Sequence, residues 1–137
     1  MIQKPDHAII ITAEQKAEQQ RAAKHAEINS ERSRRIVAGK VFDGVYITGR
    51  DEDARNLTNL ALGAQLRITQ GDTSTLTTYR DGNNVDHELT PTQLLSLWPQ
   101  SAAYVSALYA ASWAIKAMDP LPADVTHDGL WPKELCL

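Results

Sequence analysis

The chain has one cysteine, one phenylalanine, no surplus of positive charge and no long apolar run, and each shortage removes a class of function. Cys136 alone excludes an internal disulfide. It has no evident base beside it and lies close to the carboxyl end, which leaves nucleophilic catalysis weakly supported. Fourteen Lys and Arg against 17 Asp and Glu give a formal net charge of −3, a balance that disfavours general affinity for nucleic acid. The longest apolar stretches, such as Ala8 to Ile11 and Ala102 to Val105, are far too short to cross a bilayer. The amino terminus lacks the cationic and long apolar regions of a signal peptide, so synthesis in a bacterial cytoplasm is the expectation.

Other absences concern chemistry. The seven glycines are scattered singly, so neither a phosphate-cradling loop nor a serine elbow is present. His7, His25, His87 and His127 are too dispersed to supply ligand spacing for a metal. Asp81-Gly82-Asn83-Asn84-Val85-Asp86 has a faint likeness to a calcium loop, but Val85 and Asp86 stand where a ligand and a glycine are required. A polar hairpin turn is the better reading. No catalytic residue, metal site or cofactor is expected.

What remains is architecture. Its 137 residues suit one domain able to bury a core without staples. Thr12 and Gln15 form a capping box, and no Pro or Gly follows before Gly39, which predicts a helix over 13–38. Its first half, Ala13 to Lys24, offers only alanines to a core, so it should project as an arm or pack on a partner, the alternative being a solvated and partly frayed helix. Asp43-Gly44 between Val41-Phe42 and Val45-Tyr46-Ile47 predicts a tight hairpin.

Asp51 then caps a second helix that runs to about Gln70, with Gly71 as its stop. Its Leu57 and Ala61 face should be buried, and Leu62 and Leu66 suggest burial on a second side. Ser74 to Tyr79 and Val85 to Leu89 read as another hairpin. Thr90-Pro91-Thr92-Gln93 starts a third helix, which Pro99 must kink or split. The expected class is α+β, three helices packed with two β-hairpins in the order α-ββ-α-ββ-α, with a long polar N-terminal helix and an extended C-terminal tail. The expected divisions are a segment and arm over 1–27, a globular part over 28–118 and a proline-containing tail over 119–137. Core positions should be Phe42, Leu57, Ala61, Ile68, Leu76, Leu94, Val105, Leu108, Tyr109 and Ile115.

The only basic cluster is Arg32, Arg34 and Arg35, with Glu31 at the spacing for intrahelical ion pairs. A self-paired helix end, a protein interface and phosphate contacts are the three readings it admits. In the tail, Leu130-Trp131-Pro132 is an apolar anchor for either this domain or a neighbouring subunit. The candidate protein-interface residues are therefore Ala17, Arg21, Arg32, Arg34, Arg35, Leu130 and Trp131.

The run Ile28 to Arg35, Gly39, Phe42-Asp43-Gly44, the alanine- and leucine-rich second helix, Tyr79-Arg80-Asp81-Gly82-Asn83 and the Tyr104 to Lys116 segment occur in an order that resembles a phage-tail-associated domain of unknown function found in bacteriophages and prophages. The likeness covers roughly residues 28 to 118. Tyr79 stands where many relatives carry tryptophan, and the segment after Met118 falls outside the pattern. The resemblance implies an accessory protein without catalytic residues, encoded close to tail-fibre and tail-tip genes. It further implies a structural role at the tail tip, baseplate or fibre attachment. The partners would be other phage tail proteins (fibre, tip or baseplate subunits) or further copies of the chain, with neither nucleic acid nor membrane involved. Location in the virion follows. The alternative is a tail-fibre assembly chaperone absent from the mature particle, since the polar first helix is also reminiscent of tail-fibre assembly proteins.

Overall fold

The computed structural model describes residues 11–132. Cys136 and His7 lie outside the described residues, as does the apolar run before Ile11. The observed order is α1 (Ala13–Ala38), β1 (Lys40–Phe42), β2 (Val45–Ile47), α2 (Asp51–Thr69), β3 (Thr77–Arg80), β4 (Asp86–Leu89), α3 (Pro91–Lys116) and a 3₁₀ turn, Asp128–Leu130. The class is α+β, with two separate two-stranded antiparallel sheets in the expected α-ββ-α-ββ-α order.

Local chemistry accounts for the boundaries. Thr12 accepts from the Gln15 amide at 3.1 Å while Gln15 Oε1 accepts from the Thr12 amide at 3.0 Å, so two orphan donors at the start of α1 are satisfied. Thr90 and Gln93 repeat the arrangement at α3, with Pro91 in the first position where its missing N–H costs nothing. Asp43 and Gly44 take φ of 50° and 78°, the two positive values that a tight hairpin between Phe42 and Val45 needs. Gly71 (φ 85°) ends α2 in a Schellman turn, in which the Asp72 amide reaches the Arg67 carbonyl at 2.8 Å and the Gly71 amide reaches Ile68 at 3.0 Å.

Two apolar clusters share α3 as their spine. In the first, Phe42, Val45 and Ile47 of the first hairpin, Tyr79 and Leu89 of the second, and Leu57 and Ala64 of α2 surround Leu94 and Leu97. In the second, Ile28 of α1 meets Leu108 and Ile115, and Val125 and Trp131 of the C-terminal segment close over them. Tyr104 packs against both clusters and meets Phe42 edge to face at 6.1 Å between ring centroids.

Several expectations need correction. Leu76 is 55% exposed because it precedes β3 in irregular chain, and Tyr109 lies at the surface beside α1. Leu62 and Leu66 face solvent, since α2 has a packed side and nothing within the described residues covers the opposite one. Asp51 is the first residue of α2 and not its cap. Arg50 holds the cap position without a side-chain bond, and the Thr48 hydroxyl donates to the Asp53 carboxylate. Pro99 does not split α3, which runs on as one helix of 26 residues. The segment after Met118 is mostly irregular, as expected of its prolines, but includes the Asp128–Leu130 turn and packs on this chain's own domain.

Candidate protein-interaction surface

Five of the seven interface candidates, Ala17, Arg21, Arg32, Arg34 and Arg35, lie on α1, which also carries Lys24. Glu31 is buried, which would be costly for an isolated carboxylate. It accepts from Arg34 at 2.9 and 2.5 Å and from Arg35 Nε at 2.9 Å. The Arg34 hydrogen bond is the main influence holding the Glu31 carboxyl below its ordinary range, and burial works against it. The same bond raises the Arg34 guanidinium. The intrahelical pairing read from spacing is thus present.

Long-range partners were not legible in that spacing. Arg35 also donates from Nη2 to the Thr126 carbonyl at 3.0 Å and to Asp128 Oδ1 at 2.7 Å. Arg32 lies 4.3 Å from the Tyr109 ring centroid and donates to Ser112 Oγ at 3.0 Å. Arg21 donates to the Lys116 carbonyl at 3.0 Å, one of the orphan acceptors at the end of α3. Lys24 reaches the Ala123 carbonyl at 2.7 Å. The cations of α1 therefore hold the C-terminal half of the molecule by its backbone oxygens.

Of the proposed interface residues, Trp131 is buried in the second cluster with its indole N–H donating to the Val125 carbonyl at 2.8 Å. Leu130 packs half-buried beside it. Arg32 and Arg35 are engaged inside the domain. Ala17 and the Arg34 side chain remain open to solvent, and Arg21 is exposed despite its bond to Lys116. All residues from 11 to 23 are exposed, because α1 extends past the C-terminal end of α3.

The other polar cluster is the second hairpin turn. Asp81 Oδ1 accepts from the amides of Asn83 at 2.8 Å and Val85 at 3.0 Å, and Oδ2 meets His87 Nε2 at 2.7 Å. The Gly82 amide donates to the Tyr46 carbonyl at 3.0 Å, which fastens this turn to the first hairpin. Both Asp81 oxygens thus serve the turn itself. Among the described residues no group of three or more His, Cys, Asp or Glu is placed to hold a metal ion, and no helix is long and apolar enough to cross a membrane.

These elements define a small α+β domain in which an arginine-bearing helix clasps a C-terminal strap over a shared helical spine. Residues 19–128 match the family described as Domain of unknown function (DUF4376), and the chain belongs to that family. The matched span runs from the arm through Asp128, so it takes in much of the strap that Arg35 and Lys24 hold. No curated protein and no solved structure matches the chain.

Proposed function

We propose that this protein is a non-enzymatic structural component of a bacteriophage tail, at the tip, baseplate or fibre attachment, acting through contacts with other tail proteins. The resemblance of Ile28 to Arg35, Phe42-Asp43-Gly44 and the later helices to a phage-tail-associated domain supports the reading. The observation that carries it is the arm: residues 13 to 23 form helix that the domain itself leaves in solvent. A polar helical segment with few apolar groups gains little by standing alone, and docking on another protein gives it a role.

Mass spectrometry of purified virions tests the proposal. Stoichiometric presence of the chain is the expected result. Its clean absence from particles whose tails still require it for assembly would favour the assembly-chaperone reading. Deleting residues 1–18 spares Arg21 and Lys24, which hold the domain together. That deletion should leave the melting temperature nearly unchanged while preventing incorporation into tails.

A further inference from the structure

Among the described residues, the side-chain nitrogens and oxygens that are buried without a hydrogen-bond partner all lie on α1: His25 Nε2, Asn29 Oδ1 and Arg32 Nε. Folded proteins leave few such atoms, because each has given up water and received nothing in exchange. Positions 25, 29 and 32 have the spacing of four and three that sets side chains on one flank of a helix. That flank runs beside α3, since the Arg32 guanidinium donates to Ser112 and lies over the Tyr109 ring. Apolar contact offsets little of the cost. Of the 26 residues of α1, only Ile28 and Glu31 are buried, whereas α2, with 19 residues, buries Leu57, Ala61 and Ala64 and has no orphaned polar atom.

The bonds of α1 divide along its length. Lys24 holds Ala123, and Arg35 holds Thr126 and Asp128 and covers Trp131, so the body of the helix is tied to the strap. Val125 and Trp131 share one apolar cluster with Ile28, apart from the cluster that joins α2 to the two hairpins. The last turn is fastened elsewhere. The Tyr46 hydroxyl donates to the Ala38 carbonyl, and a Cβ on Gly49 would lie 2.1 Å from the Ile36 carbonyl oxygen, which places that turn with the first hairpin.

We propose that α1 up to Arg35 and the strap undock from α3 together, pivoting on the last turn of α1, while α2, the hairpins and the first cluster stay folded. Opening hydrates the three orphaned atoms and bares Leu108 and Ile115 of α3. It also exposes Ile28, Val125 and Trp131 to water, so the open form is a minor one. Residues 13–23 continue the same helix into solvent, and a load on the arm therefore reaches this unit before it reaches the hairpins.

Native-state hydrogen exchange on the full chain, followed by NMR at low urea, tests this. Once undocked, a polar helix of this composition frays, and its amides exchange through the opening. Amides 28–34 of α1 and the indole N–H of Trp131, bonded to Val125, should share one level of protection, about tenfold or more below that of amides 57–64 in α2. His25→Leu combined with Asn29→Leu removes two orphaned atoms and should slow exchange at both α1 and the indole by about threefold or more. Trp131→Ala should speed the α1 amides by about tenfold or more, although it lies outside that helix. Ile47→Val, in the first cluster, weakens the closed and open forms alike. It should speed amides 57–64 by about twofold or more and leave the α1 amides unchanged. Equal protection of α1 and α2 would overturn the proposal, since α1 would then open only with the whole domain. So would α1 amides indifferent to Trp131→Ala, a leucine pair that does not slow exchange, or an Ile47→Val that speeds both helices alike.

Discussion

The Arg35 guanidinium stands 5.3 Å from the centroid of the Trp131 ring, which joins the most basic stretch of α1 to the most apolar part of the C-terminal strap. Arg35 at once completes the pairing of Glu31, holds the Thr126 carbonyl and covers the indole that seals the second cluster. Its bond to Asp128 contributes least, because that carboxylate is almost fully exposed and screened by solvent. Arg35→Ala should therefore lower unfolding stability by about 1.5–3 kcal/mol, the usual range for lost hydrogen bonds to charged groups. Asp128→Ala should leave the denaturation midpoint close to that of the parent. Equal losses for the two variants in a urea titration would show that the exposed pair is the important contact.

Trp131 itself is the anchor of the strap. Trp131→Ala removes a buried indole and its bond to Val125, and the expected cost is about 3–5 kcal/mol. Removing residues 119–137 should lower the melting temperature of the isolated protein further, since Leu121 and Val125 leave the same cluster. A truncated chain that melts with the parent would mean that the strap contributes nothing to the fold.

Two leucines give an internal contrast in the same assay. Leu108 is fully buried on α3, and Leu108→Ala should cost about 2–5 kcal/mol. Leu76 is exposed, so Leu76→Ala should fall within about 0.5 kcal/mol of the parent. A loss under about 1 kcal/mol at Leu108 would mean that the buried face of α3 has been misassigned.

The limits of sequence reading follow the same division between local and distant contacts. Thr12 with Gln15, Asp43-Gly44 and Thr90-Pro91 with Gln93 state their structure within four residues, and the ends of α1 and the start of α3 were legible for that reason. Leu62 and Leu66 have the spacing of a second packed side, but periodicity reports that a face is apolar, not that anything lies against it. Tyr109 fell on an apolar stripe of α3 and is found under Arg32 at the surface. Glu31 with Arg34 and Arg35 was readable at i+3 and i+4. The capture of Thr126 and Asp128 by Arg35 spans 91 and 93 residues and has no local signature. The fold class was thus largely legible, as was Trp131 as an anchor of the strap, whereas the hold of the α1 cations on the strap was not.

Gly39 and Gly82 are both fixed by close approach, and Gly71 offers a comparison. A Cβ on Gly39 would lie 2.0 Å from the Ile47 carbonyl oxygen, at a φ of 70° that disfavours any side chain. On Gly82 it would lie 2.3 Å from the Tyr46 ring. Gly71 also has positive φ, but open space around it. Gly71→Ala should cost about 1–2 kcal/mol from backbone strain alone. Gly39→Ala adds a backbone clash of about 1–3 kcal/mol to a similar strain, so it should be the most damaging of the three. Gly82→Ala should loosen the contact between the hairpins, seen as faster hydrogen exchange of its own amide, which is bonded to Tyr46. Equal melting temperatures for Gly39→Ala and Gly71→Ala would contradict the close approach.

Acid should release the second hairpin turn through Asp81. Its carboxyl is held down at about 2, chiefly by the hydrogen bond with His87, with the amides of Val85 and Asn83 adding to the effect and burial opposing it. An unfolded aspartate titrates near 3.9. A carboxyl that gives up its proton more readily in the folded chain stabilises the fold fully above about pH 4, and this contribution is lost as the pH falls toward about 2. Asp81→Asn keeps one oxygen acceptor for the turn amides and removes the anion. The melting temperature of the parent should exceed that of Asp81→Asn at pH 5, and the margin should close between about pH 4 and about pH 2. Other carboxylates lowered in the fold, among them Asp86 beside Arg80 and Asp128 beside Arg35, titrate in both proteins and cancel in the difference. A margin of the same size at pH 2.5 as at pH 5 would show that the shape of the Asp81 side chain, and not its charge, secures the turn.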